Sequence, residues 1–274
     1  MREPVKVLFI VQELMPYLPE TVVSRLCREL PQYVQEQGCE IRIFMPCYGV
    51  INERRNQLHE VQRLSGMNLI IDDSDHPLII KVASLPSARM QVYFIDNDDY
   101  FRRRGTTVDT DGKEFGDNDD RMIFFARGVL ETIKKLRWTP DIIHCHGWMT
   151  ALIPLYMRTA YRDDPFFQDA KVLYSVYNNA FTSQFGKEFA KHLITKGVSA
   201  ADVKTVKTAK VDYDAVTRLA IEHVDVVDAA DAEVSDMPAT AAAACGVRFA
   251  PYAEDYKRKY MQLYAELCPA IELD

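Results

Sequence analysis

The chain has 274 residues, 48% of them hydrophobic, so it can bury a sizeable core as one large or two small domains. Its formal net charge of −7 argues against a nucleic-acid partner and against an anionic membrane surface, and no apolar run is long enough to span a membrane. Six scattered cysteines without a CxxC pair, and an N-terminus without a signal-peptide pattern, predict a cytoplasmic protein with reduced thiols.

The first fifty residues have the pattern of a β-α-β unit. An apolar run over residues 5–11 predicts a central parallel strand, Thr21 can cap the helix that follows, and residues 40–45 predict a second strand. A dinucleotide-binding fingerprint would lie in the turn after Val11. No glycine occurs between Val11 and Gly38, which excludes the simple NAD or FAD interpretation, and we expect no cofactor.

The middle of the chain predicts a β-meander at the edge of the sheet, followed by a long polar loop. The candidate strands are residues 68–71, 78–84 and 91–95, with turns at 72–77 and at Pro86-Ser87. In the loop over 96–120, we expect Arg102, Arg103 and Arg104 to be solvated or to bind an anion. An amphipathic helix follows over 119–136, with Asp117 as its cap.

Residues 141–149 predict a buried strand that ends in polar side chains. Period-2 alternation places His144 and His146 on one face and Cys145 on the other. The two histidines could ligate a metal, but zinc needs further ligands and no second Cys/His cluster is evident. Hydrogen bonding at the strand end is preferred, and no metal is predicted. Trp148 could stack on a sugar or pack in the core where a helix over 149–161 begins.

The last third of the chain continues the β/α alternation. Residues 171–176 and 224–229 predict strands, residues 186–222 and 238–244 predict helices, and a final helix carries a stripe of tyrosines from Tyr252 to Tyr264. This stripe is interpreted as core rather than as a sugar-stacking platform. The whole pattern predicts one α/β domain, a single doubly wound Rossmann-like parallel sheet with an inserted β-meander.

Six motifs follow one another along most of the chain. They are the opening strand with Glu13 and Pro16, the helix and strand from Leu30-Pro31 to Tyr48-Gly49, the strand and loop from Val92 to Arg103, the helix start Asp117-Asn118-x-x-Arg121, residues 140–148 reading Pro-Asp-Ile-Ile-His-Cys-His-Gly-Trp, and the strand end at Tyr177-Asn178. In this order they resemble the N-terminal catalytic domain of the bacterial glycogen synthases and plant starch synthases.

The resemblance implies the N-terminal half of a GT-B fold, in a family that transfers glucose from ADP-glucose to an α-1,4-glucan. It also implies that residues 1–274 form the acceptor-side domain and that the C-terminal nucleotide-sugar domain is absent from a chain of this length. Three positions depart from the family. Its Lys-Thr-Gly-Gly-Leu loop falls on residues 19–23, Pro-Glu-Thr-Val-Val; its His-x-His-Asp-Trp aspartate is Gly147; and its histidine before asparagine is Tyr177.

These departures predict that the chain alone does not transfer glucose, and no catalytic residue is assigned. Valine side chains keep backbone amides away from a diphosphate, and Glu20 repels it. We therefore expect a degenerate domain with a glucan-binding or regulatory role in glycogen metabolism. The candidate substrate-binding residues, all at strand ends, are Glu13, His146, Trp148, Tyr177 and Asn178.

Two alternatives stay open. The chain could be the acceptor half of a split glucosyltransferase, completed by a partner chain that carries the nucleotide-sugar domain. It could also be a protein-interaction module without sugar binding.

Overall fold

The computed structural model describes residues 3–85 and 90–272. The predicted turn at Pro86-Ser87 lies outside these residues. The strands are β1 (Lys6–Val11), β2 (Glu40–Pro46), β3 (His59–Glu60), β4 (Met67–Ile71), β5 (Ser74–Leu85), β6 (Met90–Asp96), β7 (Ile142–His146), β8 (Lys171–Val176), β9 (Val226–Ala229) and β10 (Arg248–Ala250). The helices are α1 (Val22–Glu36), α2 (Asp98–Phe101), α3 (Asn118–Leu136), α4 (Leu152–Arg158), α5 (Phe189–Leu193), α6 (Tyr213–Ile221), α7 (Met237–Cys245) and α8 (Tyr256–Leu267), with 3-10 turns at Trp148–Thr150 and Lys204–Val206.

One sheet organises the domain. Its parallel part has the order β10-β9-β8-β7-β1-β2-β6, and β5 and β3 extend it antiparallel, with β4 pairing β5. The predicted parallel sheet with a β-meander at its edge is therefore confirmed. The chain order reverses between β1 and β7, because the strands after β1 run to one side and those after β7 to the other. Open α/β sheets bind ligands outside the carboxyl ends of the strands at such a switch point.

Helices cover both faces of the sheet, as a doubly wound fold requires. Neighbouring residues of β8 show the two faces, because side chains alternate along a strand. Ser175 contacts Tyr260 of α8, whereas the preceding side chain, that of Tyr174, lies on the opposite face, which α6 covers. Both strand residues are fully buried. Among the described helices, none combines the length and the apolarity needed to cross a bilayer.

Helix α1 begins where the sequence predicts it. The Thr21 hydroxyl accepts a hydrogen bond from the Ser24 N–H at 3.0 Å, and the Ser24 hydroxyl accepts one from the Thr21 N–H at 2.8 Å. This reciprocal capping box satisfies two amides that a helix start otherwise leaves open. The helix then buries a stripe of apolar side chains against the sheet, Val23, Leu26, Leu30 and Val34.

The prediction of continuous helix over 186–222 is wrong. Only α5, one 3-10 turn and α6 are helical in that range. Gly197 interrupts the helix with a φ of +92°, at a point where an added Cβ would lie 2.7 Å from the Cα of Ala160. Further on, the Asp202 carboxylate accepts hydrogen bonds from the N–H and the hydroxyl of Ser199, which favours a turn over a helix. The predicted helix over 149–161 is likewise shorter, and ends at Arg158.

Three side-chain predictions also need correction. Asp117 stands at the N-cap position of α3 but makes no cap hydrogen bond, because its two carboxylate oxygens lie 2.9 and 2.6 Å from Nη2 of Arg103. Arg103 is therefore paired rather than simply solvated. Tyr252 precedes α8 and is exposed, so it does not belong to the buried tyrosine stripe, whereas Tyr260 and Tyr264 are fully buried as predicted.

Candidate functional site

The five candidate residues lie at or just after the carboxyl ends of three strands that lie side by side. Strands β8, β7 and β1 are parallel neighbours, with Val11 opposite His146 and His146 opposite Ser175. Their carboxyl ends therefore reach the same edge of the sheet, at and beside the switch between β1 and β7. We call this region the carboxyl edge, formed by Glu13, His146, Trp148, Tyr177 and Asn178.

The histidines of β7 have the predicted orientation. The rings of His144 and His146 share a face with centroids 3.7 Å apart. The Nδ1 atom of His146 lies 2.7 Å from the Tyr177 hydroxyl, and its Nε2 has no hydrogen-bond partner in the described part of the chain. Burial, together with the nearby Lys259 ammonium, lowers the pKa of His146 to about 3, so the ring is neutral at neutral pH.

His144 belongs to a buried network that joins α8 to the sheet. Its Nδ1 lies 2.6 Å from the Tyr264 hydroxyl and its Nε2 lies 2.6 Å from the Ser175 hydroxyl. Ser175 donates to Asp228 at 2.6 Å, and the other oxygen of Asp228 accepts from Lys259 at 2.8 Å. Both ring nitrogens of His144 therefore have hydrogen-bonding neighbours within the protein. The geometry agrees with the interpretation of His144 as a hydrogen-bonded core residue.

Within the carboxyl edge, Trp148 and Tyr177 are buried, each only 2% exposed. The Trp148 ring packs edge-on against Phe181, with centroids 4.9 Å apart. The Tyr177 hydroxyl faces His146, and its backbone carbonyl accepts a hydrogen bond from Tyr213 at 3.2 Å. In this conformation both rings stabilise the strand ends from inside rather than facing solvent.

Glu13 and Asn178 are the candidates that reach the surface. The half-buried Glu13 carboxylate accepts a hydrogen bond from the Thr21 hydroxyl at 2.6 Å. Burial raises the pKa of Glu13, and the Thr21 hydrogen bond opposes that rise. The exposed Asn178 side chain donates to Glu233 at 3.0 Å. Carboxylate and amide groups of this kind can form hydrogen bonds with sugar hydroxyls.

A second cluster was missed by sequence reasoning. Within residues 3–85 and 90–272, the one group of metal-ligand residue types close enough to share an ion is Cys47, Glu53 and Asp96. The Lys81 ammonium lies 2.6 Å from Glu53 and 2.7 Å from Asp96, so one lysine already forms ion pairs with both carboxylates. These residues come from separate strands and loops, and no spacing in the sequence indicates that they meet.

The sequence of the chain matches one family model and several glycogen synthases of known sequence. A model of the family "Starch synthase catalytic domain" matches residues 6–242. A glycogen synthase of Chlorobaculum tepidum is 37% identical over 256 residues, covering 90% of this chain and 52% of that protein. A glycogen synthase of Chlorobium limicola is 41% identical over 178 residues, covering 65% of this chain and 36% of that protein. The chain thus spans about half, or less, of the length of these relatives.

Among solved structures, the catalytic domain of Starch Synthase IV from Arabidopsis thaliana bound to ADP and acarbose is similar with a TM-score of 0.66. The identity is 19%, and the match covers 82% of this chain and 45% of that one. At this identity the likeness concerns the fold, which corresponds to one half of a GT-B glycosyltransferase.

Proposed function

The chain belongs to the starch synthase catalytic domain family, and from this premise we propose that it binds α-glucan at the carboxyl edge and acts in glycogen metabolism without binding a sugar nucleotide by itself. Its role is that of a glucan-binding or regulatory domain. The observation that carries the proposal is the hydrogen bonding at the N-terminus of α1. The family resemblance places the Lys-Thr-Gly-Gly-Leu loop, which lies beside the nucleotide in the family, at residues 19–23 of this chain.

A helix N-terminus binds phosphate through free backbone amides and a favourable dipole. At α1 the amides of Thr21 and Ser24 are already bonded to side-chain hydroxyls within the capping box. The Glu13 carboxylate also accepts from the Thr21 hydroxyl, and Glu20 adds a second carboxylate beside it. A diphosphate arriving here would find the amides of Thr21 and Ser24 occupied and two carboxylates nearby, of which, within the described residues, only Glu20 is paired, with Arg25 at 3.4 Å. Both features support the loss of donor binding.

For the glucan, the surface groups of the carboxyl edge have suitable chemistry. Glu13 and Asn178 offer hydrogen-bonding groups to sugar hydroxyls, and we assign direct glucan contact to these two residues. His146, Tyr177 and Trp148 would hold the strand ends in place from the core. A glucan at the carboxyl edge contacts protein on one side only and stays largely hydrated on the other. We therefore expect weak binding, with a Kd on the order of 1 mM.

A second candidate function is the acceptor half of a split glucosyltransferase. Two valines favour this candidate, because Val22 is 42% exposed and Val50 is 47% exposed. They lie in the segments that follow β1 and β2, on the side of the sheet where a facing domain would dock. In this case a partner chain with a nucleotide-sugar domain would complete the cleft. Glucose transfer that occurs only when the two chains are mixed would favour this candidate.

The test is calorimetric titration of the chain with maltoheptaose and, separately, with ADP-glucose. We expect heat of binding with maltoheptaose only, and a several-fold weaker Kd in Asn178→Ala and Glu13→Gln. The matched control is Asn68→Ala, which removes an exposed asparagine of β4. Tight binding of ADP-glucose would overturn the proposal. Binding of neither ligand would favour a protein-interaction module.

A further inference from the structure

The outer face of α8 carries two adjacent cavities. One, of about 550 Å³, lies between α1 and α8 and includes Tyr33 and Gln37. The other, of about 320 Å³, lies between α8 and the segment after β10, and includes Tyr252. Three residues line both: Asp255, Arg258 and Gln262. We call the two cavities together the α8 groove, defined by these six residues.

The α8 groove is separate from the carboxyl edge. None of the five carboxyl-edge residues lines either cavity. Four of the six groove residues also lie beyond residue 242, where the match to the family model ends. The groove is therefore formed mainly by a part of this chain that the family match does not cover.

Side chains with free hydrogen-bonding capacity line the groove. The side chains of Gln37, Arg258 and Gln262 make no hydrogen bond or ion pair with other described residues, and all three are exposed. Asp255 caps α8 by accepting the Arg258 N–H at 3.1 Å. Two amides and a guanidinium thus present donors and acceptors along one surface.

The charge of the groove disfavours ionic ligands. Of the charged residues that line the two cavities, Arg248 is paired with Glu266 at 2.7 Å and Lys259 with the buried Asp228 at 2.8 Å. The others are Lys257 and Arg258, with two positive charges, and Asp255 and Glu272, with two negative ones, so they balance. The Lys257 ammonium lies 5.4 Å from the Tyr33 ring centroid and covers one face of that ring. The Tyr252 ring, 44% exposed, is open for stacking. A neutral, hydroxyl-rich chain molecule with apolar ring faces fits this combination.

We propose that the α8 groove is a second contact site for α-glucan, with Tyr252 stacking on a sugar ring and with Gln37, Arg258 and Gln262 bonding to hydroxyls. The inference rests on the proposed function, because it assumes that the ligand is the same glucan. Helix α8 is about 10–12 Å across with its side chains, so a groove that crosses it has room for a few sugar units. Two separated contacts on one polymer raise the overall affinity without new chemistry.

The two sites carry separate side-chain amides, which makes nuclear magnetic resonance the direct test. In a ¹⁵N-labelled chain titrated with maltoheptaose, the amide signals of Gln37 and Gln262 report the α8 groove, and that of Asn178 reports the carboxyl edge. We expect Gln37 and Gln262 to shift saturably, and Tyr252→Ala to weaken that response roughly fivefold. Gln62→Ala, which removes an exposed glutamine elsewhere, is the control and should change nothing.

The outcomes separate the two proposals. Shifts of Asn178 alone would overturn the α8 groove and leave the proposed function standing. Shifts of Gln37 and Gln262 alone would support the groove and contradict the placement at the carboxyl edge. No shift at either place would contradict both. An equal response to a β-linked cello-oligosaccharide, or a stronger one to inorganic phosphate, would also overturn the groove as an α-glucan site.

Discussion

The side-chain oxygen of Gln12 lies 2.7 Å from the position that a Cβ atom on Gly147 would take. The same oxygen accepts a hydrogen bond from the Met149 N–H at 3.2 Å, at the start of the 3-10 turn Trp148–Thr150. Gly147, the N-cap of that turn, supplies no cap itself. Gln12, which follows β1, therefore supplies the cap that Gly147 cannot supply.

Gly147→Asp should destabilise the protein, although it restores the family residue. Gly147 has φ +82° and ψ 164°, a conformation that is essentially restricted to glycine, and the new Cβ would collide with Gln12. We expect a loss of about 2–4 kcal/mol in the free energy of unfolding, measured by urea denaturation. Adding Gln12→Ala should recover part of it. If the two substitutions prove additive, Gln12 and Gly147 are not coupled.

Tyr264→Phe should lower the free energy of unfolding more than Tyr256→Phe does, although both remove one tyrosine hydroxyl from α8. It leaves the buried Nδ1 of His144 without its partner at 2.6 Å, for a loss of about 1–3 kcal/mol in unfolding free energy. Tyr256→Phe is the matched control, because its hydroxyl bonds the exposed Glu29 and water can replace that bond. Equal losses in the two variants would contradict a special role for the buried network.

Stability should fall as the pH drops from about 6.5 towards 3. Burial lowers the pKa of His146 to about 3 and that of His144 well below its usual value, so the unfolded chain takes up protons that the native chain refuses. Each histidine contributes a slope of at most about 1.4 kcal/mol per pH unit in this window. Asp119 opposes them, because burial and then Asp120 raise its pKa to about 6.

The variants separate these contributions. His146→Leu should flatten the pH dependence of urea unfolding, and Asp119→Asn should steepen it. Equal slopes in the wild type and in His146→Leu would mean that His146 takes up protons in the native state as readily as in the unfolded chain.

Lys81→Ala should destabilise the protein and create affinity for Zn²⁺. It leaves the buried Asp96, and with it the exposed Glu53, without their ammonium, at a cost of about 3 kcal/mol. The ligand atoms of Cys47, Glu53 and Asp96 all lie within 4.8 Å of one another, so a zinc ion could replace the lost charge.

Melting temperatures measured with and without Zn²⁺ test this prediction. The ion should stabilise Lys81→Ala, but stabilise the wild type little. Lys81→Met, which fills the same space with an apolar side chain, is the control and should respond less than Lys81→Ala. Equal stabilisation of all three proteins would point to zinc binding elsewhere.

Tyr177→His should restore no glucose transfer from ADP-glucose to glycogen, and the wild-type chain alone should show none. Tyr177 is buried, and its hydroxyl faces His146, so an imidazole there is not presented to solvent. The occupied amides at Thr21 and Ser24 also remain unchanged in this variant. Radiolabelled glucose appearing in glycogen in proportion to either protein would contradict the prediction.

Local patterns were sufficient to predict much of this protein. The alternating strands and helices, the meander, the Thr21 cap and the shared face of His144 and His146 all follow from spacing along a few residues, because strand and helix periods are short. The order of six motifs identified the family. The range 186–222 was mispredicted because alternating charge and apolar residues suit a helix, while the close approach of Gly197 to Ala160 is a tertiary contact.

Only the tertiary structure decided which candidate residues face solvent. Glu13 and Asn178 reach the surface, whereas His146, Trp148 and Tyr177 turn inward, although all five lie at or just after strand ends. Gln12 contacts a residue 137 positions away, and Lys81 joins carboxylates from a loop and another strand. Such contacts depend on which strands lie side by side and in what register, and those are set by packing of the whole core rather than by any local stretch of sequence.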